Sequence, residues 1–96
     1  MRHEAMEFER QHYNAMVERY QNEANKKSHA LEVKKESLKI LQELLNQLDF
    51  NPSKTIIRED IKSCEDEINE LENDIRYAEH QLKIFSIIAE KVNELK

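Results

Sequence analysis

The sequence predicts an all-α fold, an antiparallel two-helix coiled-coil hairpin that dimerises into a four-helix bundle. Three observations carry that reading. The 96 residues contain no glycine and one proline, and 36% of them are Asp, Glu, Lys or Arg. Sheet and α/β proteins use glycine for left-handed turns, bulges and close backbone approach, so a glycine-free chain of this length reads as helices with few connections. A glycine loop cradling a phosphate is excluded on the same ground. The second observation is an apolar seam that advances by alternating threes and fours, and the third is a break in that seam beside Pro52.

The first helix is expected over about residues 3–48. Its seam runs Met6, Arg10, Tyr13, Val17, Tyr20, Ala24, Lys27, Leu31, Lys34, Leu38, Leu41, Leu45 and Leu48, with three basic positions among apolar ones. The turn is expected at residues 49–53, because a proline disfavours the α conformation for Asn51 and lacks the amide that a helix passing through it needs. Asn51 is the natural N-cap, with Pro52 first in the new helix. A continuous kinked helix fails on register: Leu48 and Ile57 are nine residues apart where a heptad needs seven, so the stripe swings off the interface.

The second helix is expected over about residues 53–95, with Ile61, Ile68, Ile75, Leu82 and Ala89 at heptad position a and Ile57, Cys64, Leu71, Ala78, Phe85 and Val92 at d. Folding the chain at the turn pairs Leu45 with Ile57, Leu41 with Ile61, Leu38 with Cys64, Leu31 with Leu71, Ala24 with Ala78, Tyr20 with Leu82, Val17 with Phe85 and Tyr13 with Ala89. Small meets small at Ala24 and Ala78, and large Tyr13 meets small Ala89, the complementarity a packed seam requires. Lys34 falls opposite Ile68 beside Glu67, and Lys27 opposite Ile75 beside Asp74. Their stems cover apolar surface while the ammonium groups reach outward. The lysines 26, 27, 34, 35 and 39 face an acidic block from Glu65 to Asp74, which selects antiparallel over parallel pairing more than it stabilises.

A net charge of −5 and a pI near 5.4 leave no basic footprint, so nucleic acid and anionic membranes are not expected partners. No apolar run exceeds three residues, as in Ile87 to Ala89, far below the ~20 residues of a membrane span, and no charged-then-apolar leader opens the chain. One cysteine, Cys64, cannot form an intrachain disulfide, which points to a reducing compartment, cytoplasmic or nuclear. The chain ends on Leu95-Lys96 without a C-cap glycine, so it is also read as a possible segment of a longer one.

Chemistry-bearing constellations are few. Glu9 and His12 spell E-x-x-H, the ligand pair of di-metal bundles, and antiparallel pairing brings Glu90 near. They occupy g and c positions outside the seam, however, and only one copy of the motif is present, so they read as a solvated face; no metal and no cofactor is expected. Cys64 sits at a core d position followed by three carboxylates, which disfavour a thiolate, so it reads as a small core residue. No catalysis is expected. The strongest departure from a bare coiled coil lies at the end away from the turn, where Ile84, Ile87, Ile88 and Leu95 carry apolar character beyond a and d, answered by Phe8 and Met16 on the first helix. One opposing helix cannot cover all of these. They are the expected partner-binding residues, for a second copy of the chain, another helical protein, or both.

The function expected from these features is that of a non-catalytic scaffold or adaptor. In architecture alone such a hairpin resembles the small-GTPase-binding coiled-coil finger domains, and that resemblance implies an effector module as the first alternative. A di-metal helical bundle built on Glu9, His12 and Glu90 is the second.

Overall fold

The computed structural model describes residues 1–95 and is all-helical. Helix α1 spans Arg2–Gln47 and α2 spans Asn51–Glu94, 46 and 44 residues, joined by Leu48, Asp49 and Phe50. They fall into two compact units, a turn unit of Lys27–Asn73 and a distal unit of Met1–Lys26 with Asp74–Lys96.

The turn unit is a helical hairpin. At the end of α1 the Leu48 amide donates to the Leu45 carbonyl at 3.4 Å, a three-residue step that tightens the last turn. The Phe50 carbonyl accepts the Lys54 amide at 3.1 Å, so Phe50 is the N-cap of α2, and Asn51 and Pro52 are its first two helical residues. The cap expected at Asn51 therefore moves back by one position to Phe50, and α2 begins two residues before the expected 53. No amide of a first helical turn has an intrahelical acceptor, so proline loses nothing by sitting second rather than first. The Thr55 hydroxyl donates to the Asn51 carbonyl at 3.1 Å and ties the turn to the residue that proline crowds. No described residue has a positive φ, and so a chain without glycine makes this reversal unstrained.

Within the turn unit Cys64 and Ile68 are buried, and Leu31, Leu38, Leu41, Leu45, Ile57, Ile61 and Leu71 are half-buried. The Cys64 thiol donates across the seam to the Lys34 carbonyl at 3.3 Å. Lys34 takes a seam position yet pairs with Glu67 of α2, its stem lying along the seam and its ammonium at the edge. That hydrogen bond, and then the charge of Glu67, raise the lysine pKa above its ordinary 10.5. Lys39 behaves differently from the block pairing expected for it. It pairs at 3.1 Å with Glu36 of its own helix, because a b position points away from α2.

In the distal unit the segments of α1 and α2 pair antiparallel. Ala24, Ala78 and Ala89 are buried, while Tyr13, Val17, Tyr20, Ile75, Leu82, Phe85 and Val92 are half-buried. Phe85 is stacked on Tyr20, ring centroids 5.6 Å apart with planes 7° from parallel, and on Tyr13 at 6.3 Å and 29°. Such stacking adds about 0.5–1.5 kcal/mol per pair beyond area burial. Arg10, a basic seam residue, donates to the Leu95 carbonyl at 3.0 Å and so satisfies a carbonyl just beyond α2 that has no helical partner. Lys91 in the last turn of α2 complements the negative end of the helix dipole.

Candidate protein interface

The seam residues of each unit are covered by one neighbouring helix, and a single neighbour covers only part of a large side chain. Among the described residues only alanines, Cys64 and Ile68 are buried, and no large side chain is completely enclosed. The apolar residues beyond the seam are left in water. In the distal unit, near the chain ends, Phe8 is 67% exposed, Ile87 52%, Leu95 51% and Ile84 38%, with Met16 and Ile88 half-buried.

Pairing geometry sorts these six residues. The Asn93 side-chain amide donates to the Asn14 side-chain oxygen at 3.5 Å, which puts the e positions of the two segments on one side of the pair and the g positions on the other. Met16, Ile88 and Leu95 are g residues and Ile84 is at the adjoining c, so these four share a side. Phe8 and Ile87 are at f, farther round on the outer backs of their helices, and are peripheral to that face.

The same side carries a depression of about 200 Å³ lined by Arg2, Ala5, Met6, Glu9, Tyr13, Val92 and Leu95. Its floor is apolar and its two charged residues lie on α1, one of each sign. An apolar side chain seated there would be flanked by a guanidinium and a carboxylate. Sequence periodicity placed Met6, Tyr13 and Val92 in the seam but gave no sign that the seam opens here.

The remaining chemistry-bearing residues do not converge. Glu9, His12 and Glu90 are exposed, and the His12 ring stands edge-on to Tyr13 at 4.9 Å. Among the described residues no group of three His, Cys, Asp or Glu side chains is placed to hold a metal ion. Cys64 is 5% exposed, its thiol engaged by a backbone carbonyl.

A second exposed apolar set lies outside the residues expected to bind a partner. In the turn unit Val33 is 51% exposed, Ile40 55%, Leu44 42%, Phe50 67% and Ile56 59%. Val33, Ser37, Ile40 and Leu44 repeat by threes and fours at c and g, a second stripe beside the first. Ser37 interrupts the repeat, and its members fall outside the a and d positions that define the seam. No helix among the described residues is long and apolar enough to cross a membrane, so these residues are not a span. Comparison with protein-family models, with curated proteins and with solved structures gives no match.

Proposed function

We propose that this protein is a non-catalytic scaffold or adaptor in a reducing compartment, acting through self-association of its open end into a four-helix bundle and through capture of other helical proteins there. The observation that carries the reading is apolar exposure: in the distal unit Ile87 is 52%, Leu95 51% and Ile84 38% exposed. Ile84, Ile88, Leu95 and Met16 gather on one side, next to a depression sized for an apolar anchor. The reducing compartment rests on Cys64, a free thiol held in the seam.

Ile84→Asp with Ile88→Asp tests this reading. A carboxylate in a dry interface is desolvated without a partner, whereas on a wet helix face it costs little. Light scattering should give a dimer mass for the parent chain and a monomer mass for the variant, with helicity retained by circular dichroism. A parent chain that is monomeric at high concentration, or a variant of unchanged mass, would remove the basis for self-association at this end.

A further inference from the structure

The geometry points to a second docking surface, on the turn unit, for a helix of another protein whose apolar stripe is flanked on both sides by lysine or arginine. This surface is independent of the open end and of the function proposed for it. Val33, Ile40 and Leu44 are exposed along one side of α1, and the rise from residue 33 to 44 is about 17 Å, or three helical turns. That length accepts anchors at i, i+4, i+7 and i+11 of a partner helix. Small Ser37 lies between Val33 and Ile40, and beside it is a shallow depression of about 410 Å³ whose walls include Glu32 and Glu36. A knob from the partner would enter there.

Charge selects the occupant. Glu32, Glu36 and Glu43 follow the outer edge of the stripe on α1. The Lys34–Glu67 pair shows that g residues of α2 border its inner edge, and Asp60 is the next g residue toward the turn. Lys34 and Lys39 each answer one of these carboxylates, while Glu32 and Glu43 are exposed and engaged in no ion pair among the described residues. The stripe is thus apolar with acid on both edges. A second copy laid on it would bring the Glu36 and Glu43 edge of one chain against the same edge or the Asp60 and Glu67 edge of the other, and like charges across an interface are a penalty. A helix with basic flanks meets both edges with opposite charge.

The test uses the full chain and three synthetic 18-residue helical peptides of matched length. One carries leucines at three- and four-residue spacing flanked by Lys and Arg, one has the flanks changed to Glu, and one scrambles the basic sequence. Fluorescence anisotropy at physiological ionic strength should show saturable binding of the basic amphipathic peptide alone. Val33→Ser with Ile40→Ser should weaken it at least tenfold, as should Glu32→Lys with Glu43→Lys, all at exposed positions where folding is kept and checked by circular dichroism. Ile84→Asp with Ile88→Asp should leave it unchanged, so that failure here and failure at the open end are read separately. No saturable binding, equal binding of the scrambled peptide, or indifference to Val33→Ser with Ile40→Ser overturns the proposal. So does a drop in the chain's own oligomeric mass caused by that double variant, which would assign the stripe to a second copy.

Discussion

Cys64, Phe85 and Lys34 show how single residues are set by the seam. Cys64 is small, buried and hydrogen-bonded to a carbonyl of the facing helix, so it should react slowly with a thiol reagent in the native protein and rapidly in denaturant. Equal rates in the two states would mean that the register is wrong. Phe85 was legible as a seam residue from spacing, but its stack with Tyr13 and Tyr20 was not, since ring orientation depends on rotamers that periodicity does not encode. Being half-buried, Phe85→Ala should lower stability in a urea titration by about 2–3 kcal/mol, below the ~3–5 kcal/mol of a fully buried phenylalanine. A loss under about 1 kcal/mol would place the ring outside the packing. Lys34 titrates above its ordinary 10.5 because Glu67 holds its proton. A folded-state pKa raised over the unfolded one contributes stability that is complete below pH 10.5 and fades as pH climbs through the raised value. The difference in urea midpoint between the parent and Lys34→Met should therefore be constant from pH 8 to 10 and shrink at higher pH. A difference that is independent of pH up to 12 would show that the pair contributes nothing.

At the scale of the helix, every position of both apolar seams is buried or half-buried, and the reason they were readable is that a helix with one dominant neighbour imposes a strict repeat on its contact face. The break was readable because proline and a two-residue phase error coincide at one place. What spacing could not fix is the cap: Phe50 rather than Asn51 closes the turn, a one-residue choice decided by which carbonyl meets the Lys54 amide. The stripe of Val33, Ile40 and Leu44 was hidden for a different reason: Ser37 interrupts it, and its members lie at c and g, outside the a and d spacing by which the seam is read. The hairpin itself predicts that spin labels at Met6 and Val92 of one chain are close, both residues lining the same depression. A pulsed dipolar distance in isotopically diluted sample should be short. One uninterrupted helix would separate them by about 130 Å at 1.5 Å per residue.

For the molecule as a whole, the decisive quantity is apolar surface left in water. In this acidic chain, whose described residues form two helices, the large side chains of the seams stay half-wet and further apolar residues stand outside them. Small domains of this kind gain stability by association, and the side bearing Met16, Ile84, Ile88 and Leu95 is where self-association is proposed. Isoleucine methyl NMR over a dilution series reads that claim directly, because isoleucines report from both units. The δ1 methyls of Ile84 and Ile88 should shift with concentration along a dimerisation curve, while those of Ile40 and Ile56 stay fixed. Methyls of Ile40 and Ile56 that move while those of Ile84 and Ile88 do not would contradict the account.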